Sequence, residues 1–110
     1  MIILKDQDLG VAFTSPTIIS AERYYQLHSA TTYIWKNMTG VGNIYIDMLM
    51  EKDDEVWIQI HTAELNSASG STSFPNNSLC LGLRIRWVPG TGEDAPTGTV
   101  DVYTIVDGGK

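Results

Sequence analysis

The chain has 110 residues, with 13 Asp and Glu against seven Lys and Arg, for a formal net charge of −6. That length fits one domain with one core. Few, scattered cations on an acidic chain exclude a nucleic-acid footprint and disfavour an anionic membrane surface. Only 43% of residues are hydrophobic and 18% charged; Ser, Thr, Asn and Gly fill the gap, as in β-sandwiches with polar loops. The one cysteine, Cys80, allows neither an intrachain disulfide nor a cysteine-based metal site. Flanked by Leu79 and Leu81, it reads as an inert thiol on a strand.

Residues 1–4 form a short apolar strand ended by Lys5, Asp6, Gln7 and Asp8. No basic segment precedes a long apolar core there, so no signal peptide is expected. No apolar run approaches the roughly 20 residues of a membrane span, and the chain is expected to be made in the cytosol and stay soluble. Residues 9–13 read as a second short strand or an extended arm, broken by Pro16, with a β-branched run resuming at 17–19. Residues 23–28 alternate well enough for a strand, and 29–32 read as a small polar connector. Residues 33–38 carry three large apolar side chains on a short strand. Thr39-Gly40-Val41-Gly42 then turns the chain, its glycines suited to positive φ and a tight approach to a strand.

Residues 43–61, NIYIDMLMEKDDEVWIQIH, read as a central β-hairpin around which the other strands are laid. Ile44, Ile46, Met48 and Met50 share one face, and Tyr45, Asp47 and Leu49 the other. In the returning strand Val56, Ile58 and Ile60 oppose Trp57, Gln59 and His61. A period of two marks strands with one buried face. Glu51, Lys52, Asp53 and Asp54 make a solvated turn. A helical turn is open at 62–65. Residues 66–78, NSASGSTSFPNNS, read as a long surface loop anchored by Phe74-Pro75, serving either binding or mere connection. Residues 79–88 make the longest strand, with Leu79, Leu81, Leu83, Ile85 and Trp87 opposite Cys80, Gly82, Arg84, Arg86 and Val88. In the closing strand, 99–106, Val100, Val102, Thr104 and Val106 oppose Asp101, Tyr103 and Ile105. The tail, 107–110, is polar and expected to fray. The expected fold is all-β: a single-domain antiparallel β-sandwich, jelly-roll-like, of about seven or eight short strands.

Residue types for catalysis are present, but their contexts are not. His28 and His61 would need Asp47 or Glu64 to bind a metal, without any local ligand spacing. Glu51, Asp53, Asp54 and Glu55 lack the regular spacing and turn glycine of a calcium loop. No Gly-x-Ser-x-Gly elbow accompanies the serines, and Gly40 and Gly42 precede a strand rather than a phosphate-binding helix. The expectation is a protein that is not an enzyme and uses no cofactor or metal. The aromatic residues give a better lead. Tyr45, Trp57 and Tyr103 lie on faces opposite the apolar stripes, and apolar groups on both faces of a strand imply a covering segment or an intermolecular contact. Arg84 and Arg86 share a face. They pair either with Asp47 or Asp101 inside the monomer or with a partner's carboxylates.

Leu83-Arg84-Ile85, a Gly-rich loop, and Gly98-Thr99-Val100 running to Ile105-Val106-Asp107 resemble the small capsid cement, or decoration, proteins of tailed bacteriophages. In that family an "LRL"-like strand precedes a variable Gly/Thr loop and an "aGTvtagLvld"-like closing strand. Met1-Ile2-Ile3-Leu4-Lys5-Asp6 is similar to the family's short first strand, and the central hairpin fits its strand, acidic turn, strand core. Residues 24–35 have no counterpart and are expected to carry partner specificity. The resemblance implies a homo-oligomer, dimer or trimer, that binds the outer surface of an icosahedral head and clamps neighbouring major capsid protein subunits. It implies a virion location and no partnership with nucleic acid or membrane. The expected interface residues are Tyr45, Trp57, Phe74, Arg84, Arg86 and Tyr103, with 66–78 as a contact loop. The alternative is a carbohydrate- or receptor-binding module of a tail fibre or spike, its aromatics stacked on sugar rings.

Overall fold

Two four-stranded antiparallel sheets carry the chain. The computed structural model describes residues 2–17, 25–26, 29–51, 53, 55–76, 79–80 and 82–106. Its strands are β1 (Ile2–Asp8), β2 (Phe13–Thr14), β3 (Tyr25–Gln26), β4 (Ser29–Lys36), β5 (Gly42–Glu51), β6 (Val56–Leu65), β7 (Gly70–Asn76), β8 (Leu79–Cys80), β9 (Gly82–Pro89) and β10 (Thr99–Val106), with one 3-10 turn at Gly92–Asp94. One sheet has the order β1-β10-β4-β7 and the other β2-β9-β5-β6, while β3 and β8 form a separate small pair.

The pairing is nested about the acidic turn after β5. β5 pairs with β6, β4 with β7, β3 with β8, β2 with β9 and β1 with β10, all antiparallel. Rolling this long hairpin up adds the contacts of β10 with β4 and of β9 with β5. The result is an eight-stranded, two-sheet jelly roll with a small extra pair, a β-sandwich as the alternation of the sequence predicts.

Both inner faces are built from every second residue. Val100 and Val102 lie opposite Trp35 and Tyr33 in one sheet, and Ile44 and Ile46 opposite Trp87 and Ile85 in the other. With Leu9, Leu65, Leu83 and Met38 they form one buried cluster. Each fully buried aliphatic side chain contributes about 1.5–3 kcal/mol. Two glycines seat the large rings. A Cβ on Gly42 would stand 2.4 Å from the Trp87 ring, and one on Gly70 2.5 Å from that of Trp35. Each indole N–H is satisfied by a loop carbonyl, Trp87 Nε1 donating to Leu9 at 2.8 Å and Trp35 Nε1 to Ser67 at 3.0 Å, as buried tryptophans require. At the turn it is Gly40 that takes positive φ, 72°.

Several expectations are corrected. Residues 66–78 are not one long loop: 66–69 turn, Gly70–Asn76 is the edge strand β7, and 77–78 lie outside the described residues. Its inward positions Gly70, Thr72 and Phe74 lie opposite Trp35, Tyr33 and Thr31. The bulk there comes from β4, so β7 shows no apolar alternation, and Pro75 is tolerated because an edge strand needs only one set of ladder bonds. Residues 29–32 are not a connector but the start of β4, and 62–65 continue β6 without a helical turn. Lys5 to Asp8 belong to β1 rather than ending it, and the second short strand is only Phe13–Thr14. Among the described residues the longest strands are β5 and β6, at 10 residues each; within 79–88, Leu79–Cys80 is β8, 82–88 belong to β9 and residue 81 lies outside the described residues. Within 23–28 only Tyr25–Gln26 is described, as a strand; the remainder, with residues 18–19 and the tail 107–110, lies outside the described residues.

The face assignment of β6 also changes. The register shifts between Ile46↔His61 and Asp47↔Gln59, so β6 carries an extra residue at Ile60. A bulge resets the parity of all that follows. Ile58 shares the inner side with Met48, and beyond the bulge His61, Ala63 and Leu65 turn inward beside Ile46, Ile44 and Gly42.

Candidate functional site

The outer face of β9-β5-β6 holds a layered charged and aromatic cluster. Its centre is Asp47 on β5, whose side chain is 2% exposed. Arg84 Nε donates to its Oδ2 at 2.8 Å. Arg86 donates through Nε to the same oxygen and through Nη2 to Oδ1 at 3.1 Å. The cross-strand register sets this arrangement, with Asp47 opposite Arg84 and Tyr45 opposite Arg86. The guanidinium of Arg84 lies 4.1 Å from the ring centre of Trp57, and that of Arg86 4.7 Å from that of Tyr45. Each contact is worth about 0.5–1 kcal/mol at a partly exposed site.

Burial alone would raise the Asp47 carboxyl, but hydrogen bonds and charge from Arg86 and Arg84 outweigh it and hold the group below the ordinary carboxylate range. The Asp47 hydrogen bond raises Arg86 in turn. The carboxylate is held ionised, with both oxygens accepting from guanidinium groups. Each guanidinium has five N–H donors in a fixed fork. Asp47 engages one from Arg84 and two from Arg86, leaving the others to solvent or a partner.

Four of the six expected interface residues therefore meet: Tyr45, Trp57, Arg84 and Arg86. Tyr103 does not join them. It lies on β10 in the opposite sheet, between Ile2 and Thr32. Phe74 points inward, packed against the core with its ring 4.8 Å from that of His61. The pairing of the arginines is settled in favour of Asp47; Asp101 belongs to the other sheet.

Asp101 centres a second cluster that residue reasoning did not assemble. It is 3% exposed and accepts from Lys5 Nζ and Lys36 Nζ, each at 3.1 Å, and from the backbone N–H of Asp6 at 2.7 Å. Lys36 also reaches Asp6 Oδ1 at 3.4 Å. Asp6 has φ 51° and sits where β1 slips register between Leu4 and Gln7; the bulge frees its N–H and Asp101 receives it. That bond, then the two lysines against the cost of burial, holds Asp101 at about 2. The alternation places Asp101 opposite the Val100 and Val102 stripe, but nothing in the spacing joins it to Lys5 or Lys36.

Among the described residues the expected metal ligands are not brought together. Asp47 points outward, whereas His61 points inward, its Nε2 3.2 Å from the Tyr33 hydroxyl. Burial lowers His61 and raises Tyr33, so the pair is neutral. His28 lies outside the described residues. Among those described, no three His, Cys, Asp or Glu side chains gather to hold an ion. Glu51, Asp53 and Glu55 are exposed at the turn. A shallow depression beside β2 is lined by Ala12, Phe13, Thr14, Arg86, Trp87 and Val88, with no carboxylate or histidine among them. Among the described residues no helix is long and apolar enough to cross a membrane. No protein-family model, curated protein or solved structure matches the chain.

Proposed function

We propose that the chain is a structural virion protein without catalytic activity, a capsid cement or decoration protein made in the host cytoplasm. It binds the outer surface of an icosahedral phage head, bridges major capsid protein subunits and associates with itself. One observation carries this reading: a rigid aromatic and guanidinium array on the outer face of a jelly roll, where a partner can reach it. Planar donors pre-set by a buried carboxylate lose little freedom on binding, and modest contacts suffice when an oligomer meets a repeated lattice. The likeness of 83–85 and 98–107 to the decoration family supports the same reading. Stacking on sugar rings is less well supported, because guanidinium groups already cover the rings of Trp57 and Tyr45.

The test is the copy number of this chain in purified particles, measured against the major capsid protein. Hundreds of copies in simple proportion to the shell protein are expected. A few dozen or fewer would transfer the protein to a tail or spike, where glycan binding is tested next, and none would end the virion reading. Alanine at both Trp57 and Arg84 is expected to abolish shell binding.

A further inference from the structure

The two sheets end in four edge strands, β1, β7, β2 and β6, and three of them are guarded against pairing with another chain. β1 carries Lys5, Asp6 and Asp8 and two register shifts. β7 contains Pro75, and β2 is two residues long. Charges, prolines, bulges and shortness are the devices by which edges avoid further pairing. β6 is different. It runs for 10 residues and, among the described residues, pairs on one side only, with β5. From Val56 to Ala63 it has no charged residue and no proline. Val56 and Ile58 are 45% and 46% exposed. Its ladder with β5 also shifts register twice, at Ile60 and between Leu49 and Glu51, but Trp57, Ile58 and Gln59 between the shifts stay in regular register with Leu49, Met48 and Asp47.

We propose that β6 pairs antiparallel with β6 of a second copy, about a two-fold axis beside Ile58, joining two β2-β9-β5-β6 sheets into one eight-stranded sheet. Charge selects the second copy as the occupant. The chain carries −6, so two copies repel each other overall, but residues 56–63 carry no Asp, Glu, Lys or Arg. The antiparallel arrangement sends the exposed acidic turns with Glu51, Asp53 and Glu55 to opposite ends of the joint. Val56 and Ile58 of each copy then face β-branched partners, the pairing that stabilises antiparallel strands, and the free backbone groups of both edges are satisfied in one step. The contact is isologous, so it closes at two copies and does not propagate into a fibre. It deepens the self-association of the decoration reading, yet rests on the sheet edge and not on the shell.

Sedimentation equilibrium of the full chain over a thousandfold concentration range tests it, with no particles present. A monomer–dimer equilibrium is expected. Ile58→Lys places like charges across the axis and should weaken the dimer about 100-fold. Because Ile58 is nearly half exposed, the variant should keep its circular dichroism and melting profile. Amide hydrogen exchange supplies a second measurement on the unaltered chain: protection of 56–59 should rise with protein concentration while that of β1 and β7 does not. A wild-type chain that stays monomeric, a lysine variant that dimerises as well as wild type, or protection rising at β1 or β7 instead would each overturn the proposal. None of these outcomes bears on the copy number in particles, so the decoration reading stands or falls separately.

Discussion

The two outer faces of the sandwich solve one problem with different materials. Each has an aspartate on an inner strand, Asp47 on β5 and Asp101 on β10, pressed into the sheet surface and paired with two cations, both from β9 for Asp47 and from β1 and β4 for Asp101. On the β5 face the cations are arginines, flattened against Trp57 and Tyr45, with side chains 27% and 30% exposed. On the β10 face they are lysines, 55% and 41% exposed, and the carboxylate relies first on the Asp6 backbone N–H. Arg84 and Arg86 stand as two cations against one carboxylate, whereas Lys5 and Lys36 share Asp101 and Asp6. A planar, stacked guanidinium is pre-organised for recognition, and an ammonium on a flexible stem is a point charge. The first face is the one the proposed function assigns to a partner; the second holds β1 to the sheet.

The largest break in this comparison comes from Arg86→Ala. It removes both of the guanidinium's bonds to a carboxylate that is almost wholly buried, and should cost about 2–3 kcal/mol in urea unfolding. Acid comes next and strikes both faces. Asp101, at about 2 in the fold against an ordinary 3.8, contributes stability that is complete above pH 3.8 and fades as pH falls toward 2; Asp47, also lowered, adds to the same descent. His61 produces an earlier one. Burial holds it below 6.5, so just under that pH the unfolded chain takes up the proton first and stability drops. Unfolding free energy against pH should therefore fall in two stages, with Asp101→Asn flattening the lower and His61→Phe removing the upper. Arg84→Lys sharpens the contrast: it keeps the charge, loses the stack on Trp57, and should cost about 0.5–1 kcal/mol by chemical denaturation. Lys5→Ala should have the smallest effect, a melting temperature hardly changed, because that ammonium is largely in water.

The parts of this architecture that rest on local alternation were readable, and those that rest on pairing were not. β10 and β5 announce themselves through Val100, Val102, Ile44 and Ile46, one apolar residue at every second position. The shared face of Arg84 and Arg86 follows from their spacing, and Asp47 was one of their candidate partners. β7 stayed hidden because Gly70 and Thr72 leave room for the Trp35 and Tyr33 of a strand some 40 residues earlier in the chain. His61 was placed on the wrong side because an extra residue at Ile60 leaves no mark in composition. Tyr103 and Trp57 look alike in sequence because a period of two tells inside from outside but not one sheet from the other.

The nested pairing also sets the order in which partner strands become available. During synthesis, β1 to β4 leave the ribosome before any of their mirror strands exists, and β5 is the first to find its partner at once. Each later strand then meets one that is already waiting: β7 meets β4, β9 meets β2, and β10 meets β1. Pairing outward from residues 51–55 would span a longer loop at each step, so the entropic cost of closure would rise slowly rather than all at once. β1 waits longest, and it is also the edge that carries Lys5, Asp6 and Asp8. The charges that guard the finished sheet keep the unpaired strand soluble until its partner has been made.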